Sequence, residues 1–319
     1  MAGDLLLIVV GLAVVLISGD LLVRGAVGIA TAFRIPALVV SLTIVAFGTS
    51  APEMFVSALA VSGGNAGIAL GDIMGANIAN ALLVLGVPAL IFPIAVKSPG
   101  LRLHAAALCA ATAAFLAVAW FNGAIDRPTG AMLFAGILLY VALLWFRAAR
   151  GDTDDPVIDS VDDYCDNKAI NAQTLLFVLG GLVGLPLGAN LLVENGVDLA
   201  ERLAVRQAVI GLTIVAIGTS LPELATVAAA AIRKRTDVAM GSVVGSCIFN
   251  LLAVGGVAGL FGKAAFDQQA FTHELPALVA ATALIAGYIF LKRNIGGLAG
   301  ALMCAAYAAI LADFIFDLF

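Results

Sequence analysis

The sequence predicts an all-α polytopic membrane protein: ten transmembrane helices in two inverted five-helix repeats, with helices 2 and 7 broken at the midplane. Three observations carry that prediction. Hydrophobic residues make up 62% of the chain and charged residues 12%, about half the charge of soluble domains, which carry about 25%. Apolar runs long enough to cross roughly 30 Å of hydrocarbon recur from end to end. Two well-separated motifs return at one offset. Gly48-Thr-Ser-Ala-Pro-Glu53 reappears as Gly218-Thr-Ser-Leu-Pro-Glu223, and Gly75-Ala-Asn-Ile-Ala-Asn80 as Gly245-Ser-Cys-Ile-Phe-Asn250, each 170 residues later.

Backbone groups in lipid must be satisfied within the segment, so runs this long are helices and not barrel strands. The expected spans are 4–23, 37–62, 66–91, 103–121 and 128–147 in the first unit (1–150). In the second unit (173–319) they are 173–193, 207–232, 236–260, 274–291 and 295–316. The first run has no basic leader and reads as a retained span. Between the units, residues 151–172 form an acidic cytoplasmic linker with seven aspartates. The linker lacks the glycine and terminal glutamate of an EF-hand loop and reads as a solvated connector. Cys109, Cys165, Cys247 and Cys304 match no zinc or disulfide spacing. His104 and His273 lie near membrane boundaries and read as interfacial.

Orientation follows from the loops. Twelve Lys and Arg residues fall on one side, and Arg127, Arg202, Arg206 and Lys263 fall on the other. The richer side is cytoplasmic, which places both termini on the extracytoplasmic side of a cell (inner) membrane. Five spans per unit is an odd number, so the second copy enters the membrane upside down. Such inverted repeats are typical of secondary transporters with a midplane site.

Pro52 and Pro222 lack an amide hydrogen and crowd the carbonyl four residues back. The expected result is a break near Gly48 and Gly218, freeing carbonyls from Ala46 to Thr49 and from Ala216 to Thr219. Thr49, Ser50, Thr219 and Ser220 add hydroxyls at that level, and Glu53 and Glu223 follow each proline by one residue. A midspan carboxylate costs at least ~3 kcal/mol, and two together repel, so a bound cation offsets both penalties. An all-oxygen set suits hard cations such as calcium, and no Cys or His neighbours either GTSxPE stretch to favour zinc or copper. Asn80 and Asn250 each stand 27 residues after their glutamate. They offer amide oxygens to an ion or serve helix packing. Asp72 is a further intramembrane acid, on an access path or capping a helix, with Ser242 as its counterpart.

These residues resemble the alpha-repeats of the calcium/cation antiporter superfamily, most closely its sodium/calcium exchanger branch. The resemblance implies antiport of calcium against sodium by alternating access, with transported Ca2+ and Na+ as partners and no prosthetic group. A central calcium site would use Glu53, Glu223 and the carbonyls of Thr49 and Thr219. Sodium sites would use the Ala46 carbonyl with Ser50, and the Ala216 carbonyl with Ser220 and Ser246; Asn80 and Asn250 would complete the middle. Helices 1 and 6 would slide as a gating pair. Ala76 stands where the family usually has serine, which weakens one sodium position and keeps protons open as the alternative driving ion. Asn250 replaces the aspartate of potassium-dependent relatives, which leaves two site carboxylates. No HExxH motif and no serine–histidine pairing supports an enzyme. Nothing points to nucleic acid or to an obligatory protein partner; membrane lipid is the surrounding medium.

Overall fold

The computed structural model describes residues 2–32, 50–96, 100–149, 172–232 and 236–316. The acidic linker and the first part of span 2 lie outside them. Among the described residues nine helices are long and apolar enough to cross a membrane, and Ala51–Ser62 is a shorter apolar helix that ends span 2.

Numbered by span, the helices of the first unit are α1 (Ala2–Ala32), α2 (Ala51–Ser62), α3 (Ala66–Ala79, continued by Asn80–Val84 and Gly86–Ile91), α4 (Leu101–Asn122) and α5 (Arg127–Ala149). The second unit supplies α6 (Ala172–Leu203), then α7 in pieces (Gln207–Ile210, Gly211–Val215, Ala216–Thr219 and Leu221–Ile232). It closes with α8 (Thr236–Phe249, continued by Asn250–Val254 and Gly255–Phe261), α9 (Ala270–Glu274 and Leu275–Phe290) and α10 (Gly297–Phe316). Local chemistry marks the ends. Gly123 terminates α4 with φ 66°, a left-handed cap that a Cβ would disfavour. Asp126 opens α5, where its amide and carboxylate exchange hydrogen bonds with Thr129.

Helices α1 and α6 outrun their expected spans. At 32 residues, α6 is about 48 Å long at 1.5 Å per residue, well beyond the hydrocarbon. Its last turns carry Glu194, Asp198, Glu201 and Arg202, which end an apolar run without breaking a helix. The hydropathy window marks the membrane boundary, not the helix end.

The inversion is visible in the contacts. Asp4 at the start of α1 pairs with Arg202 at the end of α6, at 3.1 Å. Further along, Gly11 meets Gly188, Ser18 meets Gly184, Leu22 meets Gly181 and Gly25 meets Val178. The two helices therefore run antiparallel along their length on small residues, as membrane helices do when backbones approach closely. Gly11 and Gly188 face each other, while Gly25, Gly181 and Gly184 take larger side chains of the opposite helix.

Four contacts repeat under the 170-residue offset. Ile94 bridges Ile295, and the short strands β1 (Ala124–Ile125) and β2 (Ala264–Ala265) pair Ile125 with Ala264. Since 94 + 170 = 264 and 125 + 170 = 295, these are one contact seen twice. Added Cβ atoms would bring Gly86 to 3.1 Å from the Gly300 carbonyl and Gly130 to 2.8 Å from the Gly256 carbonyl. Here too 86 + 170 = 256 and 130 + 170 = 300. On the axis relating the units, Thr112 of α4 and Thr282 of α9 share a hydrogen bond of 3.1 Å.

Most of α3 and α8 is buried within the protein, while α1, α5 and α10 turn large apolar side chains outward. That gradient, apolar on both sides but packed only inside, is what a chain in hydrocarbon requires. His104 is fully buried against the Tyr140 hydroxyl instead of lying at an interface. Its partner sits on α5, a pairing that hydropathy does not encode. His273 is part-exposed, 3.1 Å from Asp313.

Candidate cation site

The site forms where the start of α2 and the break in α7 meet the middles of α3 and α8. Ser50 and Ser220 take nearly the same backbone conformation, φ −91°, ψ 4° and φ −81°, ψ 0°. Each is the joint before a new helix. In α2 the proline occupies the first turn, where its missing N–H costs nothing; Pro222 follows the same pattern as the second residue of Leu221–Ile232.

The break in α7 thus falls at Ser220, two residues beyond the expected Gly218. Helical structure persists through Thr219, and the Ser220 amide donates to the Ala216 carbonyl at 3.1 Å. The Ala216 carbonyl is therefore not freed, contrary to the sequence expectation. A carbonyl oxygen has a second lone pair, toward which the Thr219 hydroxyl also reaches, at 3.5 Å. Ala46 and Thr49 lie outside the described residues.

Glu53 and Glu223 occupy the first turns of the new helices, 1% and 2% exposed. There the helix N-terminus favours negative charge. Glu53 lies within electrostatic reach of both Glu223 and Asp72, and the Thr219 hydroxyl is near it. Ser246 approaches Glu223. Asn80 and Asn250 are each 1% exposed. Both begin a π turn, Asn80–Val84 and Asn250–Val254, the same place in each unit. Such bulges are frequent at functional sites, because the widened turn re-aims side chains. Only the recurrence of the two motifs hinted at them.

Asp72 is fully buried near the middle of α3, so it caps no helix, and Thr219 Oγ1 donates to its Oδ1 at 3.2 Å. Close packing brings it there. A Cβ on Gly75 would stand 2.7 Å from Leu212 Cα, and one on Gly211 would stand 3.0 Å from the Asp72 amide nitrogen. The two carboxylates expected from the motifs thus become three. For Gly245 no described atom lies within 4 Å of such a carbon; residues 42 and 46, counterparts of Leu212 and Ala216, fall outside the described set.

Buried acceptor atoms without a protein partner concentrate here. Among the described residues they include Glu53 Oε2, Glu223 Oε2, Asp72 Oδ2, Ser50 Oγ, Ser220 Oγ, Asn80 Oδ1 and Asn250 Oδ1, with Ser57 Oγ one turn beyond Glu53. Each buried polar atom left unpaired costs ~1–3 kcal/mol. No three His, Cys, Asp or Glu side chains among the described residues converge closely enough to hold a metal by themselves. An ion here must take hydroxyl, amide and carbonyl oxygens as well. Asp72 and Ser57 are the residues sequence reasoning placed elsewhere or missed. Their signal was helical spacing, one turn before position 76 and one turn after Glu53.

The family profile described as sodium/calcium exchanger protein matches residues 4–147 and again residues 173–316. The chain belongs to the sodium/calcium exchanger family. This family member is 36% identical over 276 residues to the putative antiporter CaxA of Alkalimonas amylolytica, covering 86% of each chain. It is 32% identical to the inner membrane protein YrbG of Escherichia coli K12, over 88% of this chain and 86% of that one. The solved sodium-calcium exchanger NCX_Mj, soaked with Na+ and Sr2+, superposes with a TM-score of 0.62 at 27% identity, covering 97% of each chain. The family is one of transporters, and the chain is an integral membrane protein of the calcium/cation antiporter kind.

Proposed function

We propose that this exchanger moves calcium against sodium by alternating access, at a central position held by Glu53 and Glu223. The observation that carries the proposal is that one carboxylate from each inverted unit reaches the same buried cluster of unpaired oxygens. Calcium would be held there by the two carboxylates and by carbonyls of Thr49 and Thr219. Asn80 and Asn250 would face it from the two π turns. Sodium ions would use Ser50 with the Ala46 carbonyl on one side. On the other they would use Ser220, Ser246 and the remaining lone pair of the Ala216 carbonyl. These ions are cargo, and no prosthetic group enters the scheme.

Coupling follows from charge. An unloaded site carries buried carboxylates that resist passage through the apolar layer, whereas a loaded site is neutralised. Only loaded states then interconvert, so the ions exchange instead of leaking. The antiparallel α1–α6 pair, joined through glycines, is a sliding element with few side-chain obstacles. The units would run 1–150 and 173–319, joined by a cytoplasmic linker over 151–172, with both termini outside the cytoplasm.

The reading is tested with radioactive calcium in proteoliposomes. An outward sodium gradient should drive uptake, and an equal proton gradient alone should not. Uptake driven by protons and indifferent to sodium would replace this reading with proton-coupled calcium exchange, which Ala76 keeps in view.

A further inference from the structure

We propose that Asp72, Ser57 and Thr219 form a second, off-centre site for an alkali cation, beside the two-glutamate position. The proposal rests on the exchange reading above and adds a ligand set to it. All three side chains are 0% exposed. Thr219 Oγ1 lies 3.2 Å from Asp72 Oδ1, and Ser57 is close to the same carboxylate. Asp72 Oδ2 and Ser57 Oγ have no protein partner among the described residues.

The Thr219 hydroxyl stands near both Asp72 and Glu53. It has one proton, which it can give to either carboxylate or, at 3.1 Å, to the Val215 carbonyl of its own helix. Its lone pairs, Ser57 Oγ and Asp72 Oδ2 supply oxygens to one place, and each hydroxyl can turn its single proton aside to leave lone pairs facing an ion. An oxygen-only set of this kind suits a hard cation. Charge selects the class. Glu53 and Glu223 balance one divalent ion, and the third carboxylate leaves a single negative charge for a monovalent one.

The site belongs to the first unit alone. Under the 170-residue offset Ser57 corresponds to Val227 and Asp72 to Ser242, so the second unit cannot build a copy. It also stands where the first unit is otherwise deficient. Residues four apart on a helix share a face, which sets Asp72 one turn from Ala76, the position at which the second unit carries the Ser246 hydroxyl. The carboxylate supplies an oxygen to the corner that Ala76 leaves without one.

The test uses the full-length protein in detergent, with calcium chelated and ionic strength held with choline chloride. Thermal stability is titrated with NaCl, KCl and LiCl, and calcium binding is measured separately without alkali ions. Asp72→Asn should weaken alkali-ion stabilisation at least tenfold and Ser57→Ala about threefold to tenfold. The loss for calcium should be smaller than the loss for alkali ions in either variant. An alkali response unchanged in Asp72→Asn would overturn the proposal, as would equal losses for alkali ions and calcium, which would make Asp72 a calcium ligand. Should Asp72→Asn fail to fold, Ser57→Ala decides, and an unaltered response there also overturns the site. A wild type that responds to alkali ions through Asp72 but shows no sodium-driven calcium uptake would end the exchange reading and leave this site standing.

Discussion

The two units share one scaffold and differ in the polar groups they bring to its centre. Glu53 and Glu223, Asn80 and Asn250, and the serine joints at 50 and 220 are preserved in both. Around them the first unit carries Ser57, Asp72 and Ala76, where the second carries Val227, Ser242 and Ser246. The preserved set shapes the broken helices and the π turns and supplies the paired carboxylates. The differing set loads one side with a charge and the other with a hydroxyl. Symmetry builds the site, and departures from symmetry tell its positions apart.

The largest expected effect breaks the preserved pair. Glu53→Gln or Glu223→Gln should reduce calcium transport at least a hundredfold in proteoliposomes while the thermal melt of the protein persists. Wild-type rates in either variant would remove that residue from the site.

Next comes the packing that joins the units. Gly75→Val would push a branched side chain into Leu212 Cα and Ala216 Cβ, at 2.7 and 2.8 Å from the added Cβ. Overpacking of this kind costs ~1–3 kcal/mol, read as a lowered melting temperature. An unshifted melt would mean that α3 and α7 are not in this contact.

Ala76→Ser makes the first unit more like the second. It should improve sodium competition against calcium a few-fold, measured as the sodium concentration that halves calcium uptake. No change would place position 76 away from any ligand. The smallest effect is Thr112→Val, which removes one hydrogen bond across the axis. It should cost ~0.5–1.5 kcal/mol of stability with exchange rates intact; a loss of exchange would move the axis into the mechanism.

Much of this was legible in the sequence because the repeat is gapless. The fixed offset of GTSxPE and GxxIxN named the glutamates and the asparagines, and the odd number of spans per unit named the inversion. Hydropathy placed most span boundaries within a few residues of the helices. It failed on α1 and α6, since a helix continues past the hydrocarbon through charged turns. The position of the α7 break was also missed, because a proline in the first turn of a helix is accommodated and the joint moves to the residue before that turn. Asp72 was read on its own as a path or a cap; its place beside Thr219 comes from Gly71 and Gly211 letting α3 and α7 cross closely, a contact between distant segments that no local pattern encodes. The π turns at Asn80 and Asn250 left no distinct mark in composition.

The most direct test is equilibrium binding of radioactive calcium to the wild type, Glu53→Gln, Glu223→Gln and the double variant. If one ion bridges the two carboxylates, the single changes each abolish most of the affinity. The double change then adds little beyond them, the strong non-additivity expected of groups acting on one ligand. Losses that simply add, or either single variant binding calcium like the wild type, would contradict the shared site.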